Sequence, residues 1–521
     1  MLALVFLQYW AFSTAAPTDY DYFWHVTTGR LILDTGAVPR HDPYSYTVPG
    51  EPWVAHEWLT EVLMATVHAG FGYVGNVVVF GLVTTFAMAC VFLTCRLHGV
   101  GDLASVVLMI WSANMATALW NVRAQMMTGA LVAAWVLLLT LYKRGHRRAI
   151  WPLPLLMVLW INLHGGYVFG LVLLGVFFVG EAIDSLVQRQ RDDDGSAVNT
   201  SVILSLRRIY GHTSRGQSED PSQAQDDKTG SRVPRLRGLA RAWATPLLPL
   251  VAVGVLAGLA CLVSPHGIDG VLYPFSYLGN GSAPMRFIKE WQSPDFHDPT
   301  NLLLLASVVL AVVLGIGRRP LGTAEALWAA LLALMTLQSM RHIALFAIVV
   351  TPLLGARLQE CVPALRRSAA TWRGPVMLGF GWLVLLASVA ATAAQARERG
   401  DLPLGREPRT SAYPTGAVAH IRAHGLAGNI FNEYHWGGYL VYEFFPERQV
   451  YIDGRTDVYA RLMARYVNTV AARPGWEQEL ADVDAALVLV ERDGPLATAL
   501  LRHADWTLVY EGSVERLFAR R

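Results

Sequence analysis

Hydrophobic runs of membrane-spanning length alternate with polar connections along most of the chain, and the pattern changes only near residue 398. Crossing about 30 Å of hydrocarbon takes roughly 20 mainly apolar residues. Runs near 1–16, 73–95, 102–120, 124–142, 149–163, 167–187, 243–263, 301–317, 322–339, 342–356 and 375–395 meet or approach that length, which predicts eleven helices. Past residue 398 the runs shorten. NIF, QVYID, AALVLVE, WTLVYEG and RLFA, rich in β-branched and aromatic residues, read as strands. TGAVAHIRAHG, YARLMARYVNTVAA and PLATALLRHA read as helices between them. The expectation is an all-α polytopic membrane domain over 1–397 and a small α/β domain over 398–521.

Charge in the connections predicts orientation. With the N-terminus inside, the inner loops carry 21 Lys and Arg and the outer loops, ahead of the C-terminal domain, carry six. Positive residues collect on the cytoplasmic side. The first loop, 17–72, and the domain over 398–521 are therefore expected outside a plasma (inner) membrane, on the periplasmic face where there is one. The insert 188–242 is rich in Ser, Gln, Asp and Gly and buries too little apolar surface to order itself. It reads as a flexible cytoplasmic loop in which SVILSLRRIYG is a candidate surface helix. The first run ends in STAAP but lacks the positive start of a signal peptide, so it reads as a span.

Composition agrees. The 521 residues are 53% hydrophobic and 16% charged, against about 25% charged in soluble domains. A net charge of +2 gives no basis for nucleic acid as a partner. The four cysteines sit in or beside apolar runs, which predicts no disulfide framework.

Sorted by side, the unusual polar residues gather on the outer face. Asp19, Asp21, His25, His41, Asp42, His56 and Glu57 lie in the first loop, and Arg123 and Gln125 open the fourth run. Asn162 and His164 close the fifth run and His266 follows the seventh. Lys289, Glu290, Trp291 and Asp295 occupy the next outer loop, and Arg341 and His342 open the tenth run. Any one of these is accounted for as an interface anchor, since snorkelling at a span end is cheap. Gathered on one face, they point to function. Arg123, Arg286, Lys289 and Arg341 suit a phosphate, Trp24, Trp53, Trp58 and Trp291 suit a sugar ring, and a first-loop carboxylate suits a base acting on an acceptor hydroxyl. Together they describe sugar transfer from a lipid-phosphate donor. His25, His41 and His56 with their acidic neighbours leave room for a divalent cation (Mg²⁺ or Mn²⁺), although their spacing fits no metal template. HEWLTE has Thr60 where a zinc-protease helix needs its second His. No G-x-S-x-G elbow or Walker loop occurs, which argues against serine hydrolase and ATP-driven chemistry.

NIFNEYHWGGYLVYEFFPERQVYIDGRTDVY holds a third group, Asn432, Glu433, His435, Asp453 and Arg455. Its glycines permit close backbone approach. These residues are candidates to roof the membrane cavity or grip an acceptor; alternatively Asp453 and Arg455 shape a turn.

An N-in multispan chain with acids in a long first outer loop and an outer C-terminal domain resembles the GT-C class of integral-membrane glycosyltransferases. Protein O-mannosyltransferases, the lipid A aminoarabinose transferase and the oligosaccharyltransferase catalytic subunit belong to that class. DYFWHVTTGRLILDTGAVPRHDPYSYT, WVAHEWLTE, WINLHGGYVFG, IKEWQSPDF and the NIFNEYHWGG stretch resemble more closely a group of bacterial GT-C-like membrane proteins. The resemblance implies a polyprenyl-phosphate sugar donor and a catalytic acid in the first loop. Asp21 is the best match to that acid, with Asp19 next and Glu57 a further candidate. Arg341 lies where some members contact the donor phosphate. The acceptor stays open, as do two rival classes, a lipid-linked sugar transporter and a non-catalytic envelope scaffold. Asp21 also suits a cap on the helix YFWHVTTGRLIL.

Overall fold

The structure is a computed structural model that describes residues 5–7, 9, 19–116, 120–210, 247–276, 289–298, 301–315, 321–361 and 413–521. Most of the first predicted span, all of the last, the rest of the insert beyond residue 210, Arg286 and the expected boundary at 398 lie outside these residues.

Among the described residues, the helices from the first loop to the sheet region are α1 Tyr22–Thr35, α2 Trp58–Leu97, α3 Asp102–Ala116, α4 Gln125–Lys143, α5 Leu153–Leu163, α6 Val168–Tyr210, α7 Leu247–Ala260, α8 Gly267–Ser276, α9 Leu302–Gly315, α10 Thr323–Gln338 and α11 Ile343–Cys361. Among the described residues, Trp58–Leu97, Gln125–Lys143, Gly165–Gln188 and Met340–Cys361 are long and apolar enough to cross a membrane, and α3, α5, α7, α9 and α10 are shorter apolar helices. Leu155, Leu248 and Val312 stand on the outside at 74%, 62% and 60% exposure. Such helices, apolar all round, belong in lipid. The chain is a multi-pass membrane protein.

Two helices extend past their predicted bounds. α6 continues into the insert to Tyr210. α2 begins fifteen residues ahead of its apolar run and breaks at Gly72, where φ is 62°. Its first turns lie beside α1, and the backbones touch: a Cβ at Gly29 would sit 2.0 Å from the Glu61 carbonyl oxygen. Only glycine allows that crossing.

The C-terminal region carries α12 Thr415–His424, β1 Asn429–Asn432, α13 Gly437–Phe444, α14 Met463–Val470, α15 Trp476–Asp482, β2 Ala485–Glu491, α16 Pro495–Leu500, β3 Trp506–Glu511 and β4 Glu515–Arg520. The sheet order is β1-β2-β4-β3, with β1 parallel to β2 and the other neighbours antiparallel. QVYID forms no strand of its own. Val450 bridges Ile430 on one side and Ser45 of the first loop on the other. The Tyr46 N–H donates to the Val450 carbonyl at 3.1 Å, and the Val450 N–H donates to the Tyr44 carbonyl at 2.9 Å. The first loop thus extends the sheet edge and binds the C-terminal domain to the helix ends.

Candidate functional site

A cavity of about 770 Å³ lies where the first loop, the helix ends and the C-terminal domain meet. The crossing at Gly29 places His25, one turn earlier on α1, against α2. His25 Nδ1 lies 3.2 Å from Glu61 Oε1, and its Nε2 lies 3.6 Å from Glu57 Oε2. Two more imidazoles approach Glu57 Oε1, His164 Nε2 at 3.2 Å and His56 Nε2 at 3.5 Å. One ligand atom each from His25, Glu57 and Glu61 falls within 4.8 Å of the other two, a spacing from which a metal ion is within reach.

Asp21 stands at the start of α1 but makes no side-chain cap bond. Asp19 Oδ1 instead accepts the Asp21 N–H at 3.0 Å. The Asp21 carboxylate is left for the cavity: Oδ2 pairs with Arg123 Nη2 at 2.7 Å, and Oδ1 accepts from Trp24 Nε1 at 3.0 Å. Arg123 also meets Glu290 at 3.6 Å and Asp19 at 3.8 Å, so three carboxylates share one guanidinium. Burial pushes the Asp21 carboxyl up to about 7; Asp19 adds to the rise, and Arg123 opposes it. The C-terminal domain closes directly over this group. A Cβ at Gly454 would come within 1.9 Å of Asp21 Oδ1.

Arg341 is placed differently from Arg123. It lies on the Trp291 ring, 4.6 Å from the centroid, and has no carboxylate partner among the described residues. The amide nitrogen and oxygen of Gln125, also in the lining, are buried without a hydrogen-bond partner among the described residues. His342 lines the cavity while its Nδ1 faces the Met335 carbonyl at 3.1 Å. Arg455 reaches the lining from the C-terminal domain, yet it is held by Asp42 and Asp453, each at 2.6 Å, and stacked on Trp53 at 4.6 Å.

Of the candidates read from the sequence, Asp21, His25, His56, Glu57, Arg123, Gln125, His164, Glu290, Trp291, Arg341, His342 and Arg455 share this cavity. Asp19, His266, Asn432, His435 and Asp453 lie outside its lining. Asn432 stitches backbone, donating to the Ile452 carbonyl and accepting the Tyr451 N–H. His435 meets Glu491 at 3.5 Å and the edge of Tyr20. Asp453 binds Arg455 and Tyr459. Lys289 falls in a short turn with Glu290 and Trp291, and its side chain lies outside the described residues. Trp58 donates to Asn162 at 2.8 Å.

Three cavity residues escaped the sequence reading. Glu61 follows Glu57 by one helical turn in the very segment set aside for lacking a second His, so the spacing was there to be read. Asp457, in the quoted DGRTD, lines the cavity beside His56; burial raises its carboxyl, and Tyr273 bonds to it. Tyr273 stacks on His56 at 4.1 Å, and nothing in VLYPF signalled it.

No known protein family and no curated protein matches the sequence. Solved structures do match. The apo oligosaccharyltransferase of Archaeoglobus fulgidus superposes with a TM-score of 0.56 at 12% identity, over 94% of this chain and 69% of its own. The archaeal oligosaccharyltransferase AglB of that organism, in complex with an inhibitory peptide and a dolichol-phosphate, gives 0.55 over the same shares at 12% identity. The chain has the fold of the GT-C membrane glycosyltransferases. The apo ArnT of Cupriavidus metallidurans is also similar, at 12% identity over 98% of this chain and 95% of that one, with a TM-score of 0.38 that adds no weight.

Proposed function

We propose that this GT-C-like chain transfers a sugar from a polyprenyl-phosphate-type lipid donor to an acceptor hydroxyl on the outer face of the plasma membrane. The observation that carries the reading is the polarity of one cavity. Its lining on α10 runs from Gln338 down to Leu331, and on α4 from Gln125 to Ala130. At 1.5 Å per residue these are descents of roughly 10 Å and 8 Å from polar to apolar wall. Phe169, Val172, Leu345 and Ile348 continue the apolar part. A ligand with a charged sugar head and a hydrocarbon tail suits such a space.

In this reading Asp21 accepts the acceptor's hydroxyl proton as that oxygen bonds to the sugar's anomeric carbon. The bond from that carbon to the phosphate oxygen breaks, and the lipid phosphate leaves with the electron pair. Arg341, without a carboxylate partner among the described residues, faces the phosphate, because the guanidinium of Arg123 is already shared by Asp19, Asp21 and Glu290. Trp24 and Trp291 supply flat apolar faces, and Gln125 supplies an unpaired amide for a sugar hydroxyl. His25, Glu57 and Glu61 are the residues that would hold a cation.

The test is mass spectrometry of lipid bound to protein purified from its native membrane, followed by titration of stripped protein with a short-chain polyprenyl-phosphate sugar. The expected results are a bound polyprenyl-phosphate species and saturable donor binding that Arg341→Gln weakens by about tenfold or more. A chain that carries no such lipid and does not bind the donor sinks the proposal.

A further inference from the structure

We infer that His420 and His424 chelate one late first-row divalent cation, Cu²⁺ or Zn²⁺, on the C-terminal domain, at a site separate from the transfer cavity. Both lie on α12, four residues apart in TGAVAHIRAH. Residues i and i+4 share one face of a helix, and a histidine pair at that spacing holds zinc in helical metal sites. The side chains follow the backbone: the two imidazoles stack with centroids 4.0 Å apart and planes 28° from parallel. Neither residue lines the cavity.

The surroundings leave the ligand atoms available. His424 stands exposed, and its Nδ1 lies 3.0 Å from the His420 carbonyl oxygen. A carbonyl only accepts, so in the neutral ring the proton sits on Nδ1 and Nε2 keeps a bare lone pair. A histidine held through Nδ1–H to a backbone carbonyl is oriented as metal-binding histidines are. Neither nitrogen of His420, nor Nε2 of His424, has a hydrogen-bond or carboxylate partner among the described residues. Tyr510 of β3 backs the pair. Gly416, one turn before His420, lets the phenol lie along α12, since a Cβ there would meet the Tyr510 hydroxyl at 1.9 Å. The Tyr510 ring then meets His420 at 5.3 Å. His420 is held between two rings, which lowers the side-chain entropy lost when a cation fixes it.

The donors set the class. Imidazole nitrogens suit Cu²⁺ and Zn²⁺, with Cu²⁺ the tighter, whereas Mg²⁺ and Ca²⁺ prefer oxygen. Ligands each about 2.1 Å from a metal lie roughly 3–4 Å apart, within a small side-chain rotation of the stacked pair. Water fills the remaining positions. The cation ties the last turn of α12, whose Arg422 pairs with Glu443 of α13 at 2.7 Å. Binding to the folded helix therefore stabilises the domain by mass action.

The test uses neither sugar donor nor acceptor, so its outcome is independent of the transfer reaction. The full chain, without a histidine tag, is placed in lipid nanodiscs, stripped with chelator and titrated separately with Cu²⁺ and Zn²⁺. Wild type is expected to bind one equivalent that His420→Gln and His424→Gln lose or hold at least about tenfold more weakly, with a rise in Tm larger than theirs. Equal stoichiometry and affinity in wild type and both variants overturns the site. A measurement on wild type alone decides the matter where a variant fails to fold. Diethyl pyrocarbonate modifies both histidines in the stripped protein, and Zn²⁺ is expected to protect the two together, as read by peptide mass spectrometry. Modification of His420 and His424 at rates unchanged by Zn²⁺ overturns the inference.

Discussion

Asp21 has a carboxyl whose surroundings favour its neutral form and a guanidinium that favours its charged one. Burial wins, and the group titrates near 7. Only the ionised form accepts a proton, so kcat/KM falls as pH drops through about 7, tenfold per unit once Asp21 is mostly protonated. Asp21→Asn keeps an acceptor for Trp24 and loses the charge. We expect folding and donor binding to survive while turnover drops at least about a hundredfold; a folded variant with wild-type rates and pH profile would shift the base to Glu57 or Asp457. The reason to choose Asp21 was legible in the sequence, because an acid just outside a span has few structural duties. Its use as a helix cap was an equally fair reading, and only the geometry removes it: the cap atom is Asp19 Oδ1. Asp457 could not be picked from DGRTD, since what marks it is a place in the cavity lining within the electrostatic reach of His56, some 400 residues earlier in the chain.

Elements differ in how openly they declare themselves. The apolar helices are legible because lipid demands an unbroken apolar run, and α2, α4, α6 and α11 follow theirs. QVYID is misleading because its backbone partners are the first loop, some 400 residues away, and one bridge to Ile430; no window along the chain can see them. WEQELAD hides for the opposite reason: α15 is seven residues long, with only Trp476 and Leu480 of its apolar residues facing the core. The turn holding Gly454 is the element we expect to be least tolerant. Gly454→Ala places a methyl against Asp21 Oδ1, which Arg123 and Trp24 pin in place. The cost is about 1–3 kcal/mol, visible as a lower Tm together with loss of transfer; an unchanged Tm and rate would show that the domain does not press on Asp21. Inside that domain, burial raises Glu433 from 4.5 to about 7, against its bond from Tyr466. The folded state holds this proton more tightly than the unfolded one. Stability therefore declines as pH rises from 4.5 through about 7, and thermal unfolding at pH 5 and pH 8 should show a smaller difference in Glu433→Gln.

The whole molecule gathers one cavity from the first loop, helices α1 to α4, α6, α8, α10 and α11, and a domain near the end of the chain, held together by Asp42, Arg455 and Asp453. Its expected sidedness rests on loop charge. Single cysteines placed in 190–230 should react only with reagent supplied from the cytoplasm, and those in the sheet domain only with reagent from outside; the reverse pattern would put the sugar chemistry on the wrong face. The descent from acids to hydrocarbon in that cavity also bears on how the protein is handled at the bench. Alkyl glycosides, the usual solubilising agents, have the same build as the proposed donor, a sugar on a chain. A preparation in such a detergent carries a competitor at millimolar concentration, so its apparent donor affinity reflects the choice of detergent until lipid replaces it.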